Sequence, residues 1–96
     1  MSHIANFVLP RMLTIYEVAG IYSELVLVIS QTDALHLHGT EVEELDGAGL
    51  QLILWSRLEC QKANKGWSIV SSSKELSQSL SLLSHSLKND IHLEDA

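Results

Sequence analysis

The run Glu43-Glu44-Leu45-Asp46-Gly47-Ala48-Gly49-Leu50-Gln51-Leu52 holds the residues whose types and spacing best combine into a chemistry. A carboxylate able to cap a helix is followed by small residues, so the first N–H groups of that helix are expected to lie under little side-chain cover. Such a terminus attracts an anion or another protein's backbone. Two glycines in a first turn cost about 1 kcal/mol each in helix propensity. Either they allow close packing against a neighbouring strand, or they keep the turn narrow for a partner. Around the turn, Glu41, Glu43, Glu44 and Asp46 form an acidic run that is either a solvated loop or a rim steering a basic surface. Gln51 and Trp55 follow on the same helix. Trp55 is either half covered by a neighbouring element or an exposed anchor of the kind that dominates binding energy.

Other constellations are weaker. His36 and His38 share a strand face, but two imidazoles without a third ligand do not make a zinc site, and no metal is expected. The chain has no Gly-x-Ser-x-Gly elbow, and Gly47-x-Gly49 lacks the third glycine of a dinucleotide loop. No catalytic residue and no cofactor is therefore expected. Cys60 is the only cysteine, so neither an internal disulfide nor a multi-thiolate site can form, in keeping with a reducing interior. The serines between Ser71 and Ser86 fall mostly on the polar side of a helix and read as a solvated face.

Charge and hydropathy narrow the partners. Twelve acidic residues against 6 basic ones leave a net charge of −6, which phosphate backbones and anionic headgroups repel. Nucleic acid is not an expected partner. The longest apolar stretch, Leu25 to Ile29, is far short of the ~20 residues that span a bilayer, and no apolar run follows a basic start. Membrane insertion is not expected, and cytoplasm is the expected compartment.

The elements that must position the turn can be read from periodicity. Ile4 to Leu9 reads as a strand closed by Pro10. Thr14 with Glu17 forms a capping box, and Val18, Ile21, Tyr22, Leu25, Val28 and Ile29 then mark one helix face that covers a sheet. By propensity alone, Leu25 to Ile29 also reads as a buried strand. Ala34 to His38 alternates as a half-buried strand ending at Gly39, with Leu35 and Leu37 on one side and His36 and His38 on the other. A short extended piece is expected around Val42. Asp46 then caps a second helix from Gly47 to about Asn64, with Leu50, Ile53, Leu54, Leu58 and Cys60 as its buried stripe and Gly66 as a left-handed cap. Trp67 to Ser71 is the next strand. The stretch Ser72 to Glu75 repeats the capping-box pattern, and Leu76, Leu80, Leu83 and Leu87 predict a third helix before an irregular tail, 88–96. Ninety-six residues make one domain, and alternating strands and helices predict an α/β fold, a parallel or mixed sheet with helices on it.

The motif Leu45-Asp46-Gly47-Ala48-Gly49-Leu50-Gln51-Leu52, followed by Lys65-Gly66-Trp67, resembles the STAS domains of sulfate transporters and anti-sigma-factor antagonists. Those domains carry an Asp-x-Ser/Thr/Ala-Gly-Leu turn before a helix. The resemblance covers roughly the whole chain and implies a single STAS-like domain over 1–96, with a mixed sheet of about four strands and three to four helices. It implies a non-enzymatic binding module in bacterial regulation, docking through Glu43, Glu44, Asp46, Gly47, Ala48, Gly49, Gln51 and Trp55. The implied partner is an anti-sigma-type kinase or a chemosensory component; an alternative is the ATPase of a lipid ABC transporter, with this chain as its accessory subunit. Many regulatory STAS members are phosphorylated on a hydroxyl in the turn. Here Ala48 stands at the phosphoacceptor position and Gly47 precedes it, so the resemblance implies binding without that switch.

Overall fold

Residues 3–83, described by the computed structural model, form an α/β fold in which three parallel strands carry the helices. The alternating segments make β1 (Ile4–Val8), β3 (Ala34–Gly39) and β5 (Gly66–Ser72), hydrogen-bonded in the order β1-β3-β5. Between β1 and β3 lies a short strand, β2 (Met12–Leu13), and then α1 (Val18–Ser30). Between β3 and β5 lie β4 (Glu44–Leu45) and α2 (Gly47–Lys62). Both helical crossovers step the same way across the sheet, so right-handed connections place α1 and α2 on one face. They lie side by side there, with the Tyr22 and Trp55 rings 4.6 Å apart.

The core fills the space between that face and the helices. Leu35, Leu37 and Ile69 of the sheet meet Ile21, Leu25 and Ile29 of α1 and Leu52, Ile53 and Cys60 of α2. The period of three and four in α1 and of two in β3 fixes those faces. Ile4, Asn6, Val8, His36 and His38 occupy the opposite face. α3 (Lys74–Leu83) follows β5, and its Leu76 packs over the end of β3, where a Cβ on Gly39 would lie 2.2 Å from Leu76 Cδ2.

Several details depart from the sequence expectations. Of the parallel or mixed sheet expected, the described residues form the parallel kind, and in place of one mixed sheet of about four strands there are a sheet of three and a separate pair, because helical crossovers return each strand in the same direction. After Pro10 the chain leaves that sheet. The Arg11 carbonyl accepts from the Glu43 and Glu44 N–H groups (2.8 and 3.0 Å), and β2 pairs in parallel with β4 instead. The extended piece therefore falls at Glu44–Leu45, while Val42 is wholly buried in a turn with its N–H on the Gly39 carbonyl.

The helix ends differ in detail too. Glu17 Oε1 accepts from the Thr14 N–H (2.9 Å) and hydroxyl (2.7 Å), which is half of a capping box, and the helix proper starts at Val18. Leu25 to Ile29 is helical, not a strand. The left-handed residue after α2 is Asn64 (φ 56°), not Gly66. The Asn64 N–H reaches the Gln61 carbonyl and the Lys65 N–H the Cys60 carbonyl, a complete Schellman motif. Ser73, one residue later than expected, caps α3 by accepting from the Leu76 N–H at 3.1 Å.

In α2 the buried stripe contains Leu52 and Ser56 beside Ile53 and Cys60, Leu50 and Leu54 are half-buried, and Leu58 is exposed. α2 packs against β5, β4 and α1 at once, so its buried arc is not the single stripe that apolar spacing suggests. Leu76 and Leu80 are buried as expected. The expected burial of Leu87 and the tail 88–96 lie outside the described residues.

Candidate functional site

The turn ahead of α2 is built by one carboxylate with two tasks. Asp46 sits in extended backbone, and its Oδ1 accepts from the Gly49 N–H at 3.0 Å, the N-cap bond that a helix start requires. Its Oδ2 accepts from the Ile15 N–H at 2.9 Å, across 31 positions of sequence, and so ties α2 to the loop leading into α1. These backbone donors, Ile15 first and Gly49 second, hold the Asp46 carboxyl below its ordinary pKa, with the Ala48 amide adding to them. The negative end of Asp46 already occupies the positive end of the helix. A free phosphate or other anion would meet like charge there.

The two glycines of the turn have different surroundings. Gly49 is buried, and a Cβ on it would lie 2.1 Å from the Leu13 carbonyl oxygen and 2.8 Å from Leu45 Cδ1. It is the contact at which β2 crosses the start of α2, so Gly49 does not reach the surface. Gly47 is exposed, and a Cβ there would have nothing within 4 Å. The expectation that the opening amides of α2 lie uncovered fails at Gly49, whose N–H is taken by Asp46 and whose Cα the chain itself seals, while Gly47 is exposed.

Ala48 and Trp55 are half-buried and Gln51 is exposed, and these side chains form one wall of a shallow trough between α1 and α2. Val18, Ala19 and Tyr22 form the other wall around a volume of about 300 Å³. A second hollow of about 330 Å³ continues it past Tyr22 and Trp55 to Val26, Glu59 and Lys65. The tilted Tyr22–Trp55 pair therefore stands between an apolar trough and a second hollow edged by Glu59 and Lys65. The sequence pattern placed Tyr22 on the sheet-covering face of α1, yet it is 46% exposed and belongs to this surface. At the far end the Lys65 ammonium donates to the Ile29 carbonyl and joins the C-termini of both helices.

The acidic run does not act as a unit. Glu43 forms a two-bond pair with Arg11, Nε to Oε2 and Nη2 to Oε1, both at 3.0 Å, and this contact lowers the Glu43 pKa. Glu41 and Glu44 are exposed. Arg11 carries no local sequence signal for this role, because its partner lies 32 positions away.

The remaining candidates are accounted for by packing. Ser56, one of the hydroxyls nearest the turn, is fully buried, donates to the Ile53 carbonyl (2.7 Å) and accepts from Trp67 Nε1 (3.0 Å). Thr40 is exposed beyond the end of β3. His38 Nε2 lies 2.8 Å from Asn6 Oδ1, and among the described residues no group of three or more His, Cys, Asp or Glu side chains is arranged to hold a metal. Burial pushes the Cys60 thiol up, so it stays protonated. No helix among the described residues is long and apolar enough to cross a membrane.

Comparison with models of protein families, with curated proteins and with solved structures yields no match.

Proposed function

We propose that this chain is a STAS-type interaction module that acts in bacterial regulation or signalling by docking on a protein partner, without catalysis. The supporting observation is the double engagement of Asp46. It fixes the start of α2 against the loop leading into α1, while Gly47 is exposed next to Ala48, which with Gln51 lines the Tyr22–Trp55 trough. A rigid turn beside an apolar trough offers a partner both backbone to approach and aromatic surface to cover. The partner class that the STAS resemblance supplies is an anti-sigma-type kinase or a chemosensory component. Glu41 and Glu44, both exposed and outside the hydrogen-bonded Arg11–Glu43 side-chain pair, would steer a basic partner surface and act mainly on its association rate.

Docking is constitutive with respect to the turn, because Gly47, Ala48 and Gly49 have no hydroxyl to accept phosphate. The nearby Ser56 hydroxyl is buried and already bonded. Incubation with a STAS-directed kinase followed by phosphate-sensitive mass spectrometry should find no modified residue between Thr40 and Ser56. A phosphorylated residue in that interval would overturn this part of the reading. For the docking itself, co-purification with a kinase or chemosensory protein encoded beside this chain should be lost on Gly47→Arg. Capture of an ABC ATPase in the same experiment would replace the signalling role with the transport one.

A further inference from the structure

The free edge of β1 is the feature that neither the turn nor the trough uses. The Leu9 N–H donates to the His38 carbonyl (2.8 Å), and the His3 carbonyl accepts from the Ala34 N–H (3.2 Å). With the register Ile4↔Ala34 to Val8↔His38, these bonds assign the odd-numbered residues of this segment to the ladder with β3. Ile4, Asn6 and Val8 therefore turn their N–H and C=O groups the other way, toward an edge where no strand lies among the described residues.

Among the described residues, β1 itself carries no feature that guards that edge. Its sequence, Ile-Ala-Asn-Phe-Val, has no charge, no proline and no register irregularity, the usual devices by which edge strands avoid pairing. The other edge strand differs, since the pairing of β5 with β3 shifts register after Leu37. The side chains of β1 are also arranged symmetrically about Asn6. Ile4 (54% exposed), Asn6 and Val8 (57%) point to one face, and Ala5 and Phe7 are half-buried on the other.

We propose that β1 pairs antiparallel with β1 of a second copy of this chain, about a two-fold axis through Asn6 that continues the sheet from one subunit into the next. The hydrogen-bond parity and the side-chain symmetry select the same register. Asn6 faces Asn6, and Ile4 faces Val8 of the second copy, each pair exchanging N–H···O bonds in both directions. On the core side, Ala5 meets Phe7, small against large, so the half-buried ring gains cover. A β-branched pair, Ile4 with Val8, forms on the outer face. No charged residue lies on β1, so the net charge of −6 opposes the contact only through more distant, salt-screened charges. The interface is isologous and closes as a dimer.

Sedimentation equilibrium of the full chain should give twice the chain mass at high concentration and the chain mass on dilution. Ile4→Lys combined with Val8→Lys sets ammonium groups opposite one another and should leave a monomer throughout. Ile4→Lys combined with Val8→Glu sets opposite charges across the same register and should keep the dimer. A wild-type monomer at every concentration, or equal dimerisation of both double variants, would overturn the proposal. Asn6→Cys supplies a second test that does not depend on those variants folding. Hydrogen-bonded antiparallel pairs stand about 5.5 Å apart at Cα, within disulfide reach, and the native Cys60 is buried. Mild oxidation should therefore give a covalent dimer, and its absence would also overturn the register.

Discussion

The two ends of α2 solve the same problem, unsatisfied helix groups, in opposite ways. At the C-terminal end the Schellman motif closes on itself: Asn64 supplies the left-handed residue, its N–H and that of Lys65 return to the last turn, and the Lys65 ammonium reaches α1. Gly66 is then free to begin β5, where a Cβ would stand 3.1 Å from the Ala34 Cβ. At the N-terminal end the closing group is a side chain, Asp46, which also holds the loop leading into α1, and Gly47 beside it is exposed. One end closes through backbone bonds, whereas the other closes through a side chain and leaves an exposed glycine beside it.

That contrast is broken first at Gly49. Gly49→Ala drives a methyl into the Leu13 backbone, and overpacking against backbone of this kind should cost about 3 kcal/mol or more. Denaturant unfolding would measure it, and a stability within error of the wild type would show that β2 does not seal the helix start. Gly49→Arg would fail for the same reason and reports on folding, not on docking. At the opposite end, Asn64→Ala should cost about 1 kcal/mol through the left-handed conformation, while Asn64→Gly should restore the stability. Equal losses for both would mean that the Asn64 side chain, not its backbone, closes the helix.

Asp46 sharpens the comparison through pH. Its folded pKa lies below the ordinary 3.8, so its contribution is complete above that value and is lost as pH falls through the lowered one. The wild type should therefore lose stability on acidification in that window, and Asp46→Asn should show a shallower loss there. Parallel pH profiles would separate the carboxylate from the helix start. The smallest effect belongs to Gly47→Ala, which meets open space and should shift stability by less than about 1 kcal/mol, in the stabilising direction.

Much of this arrangement was legible in the sequence. The apolar period of Ile21, Leu25 and Ile29, the alternation of Leu35 and Leu37 with His36 and His38, and the cap at Asp46 each follow from local spacing, and each element stands where that spacing put it. What was not legible is long-range. Strands of two residues, such as β2 and β4, carry no period. The bonds from Asp46 to Ile15 and from Arg11 to Glu43 join positions that only the crossover brings together. Spacing puts Leu58 in the buried stripe of α2 and passes over Leu52 and Ser56, because a helix packed on several sides buries more than one row, and a buried serine satisfied by Ile53 and Trp67 looks polar in sequence. The two glycines of the turn differ only through Leu13, which crosses one of them and not the other.

In the proposed docking, a partner lands on the open half of this turn, Gly47 and Ala48, beside the trough. The direct measurement is the affinity of the Gly47→Arg variant for a kinase or chemosensory protein that binds the wild type, taken together with its circular dichroism and melting temperature. Loss of binding with an unchanged fold is the predicted result. An unchanged affinity for a variant that carries an arginine at this exposed position would contradict it.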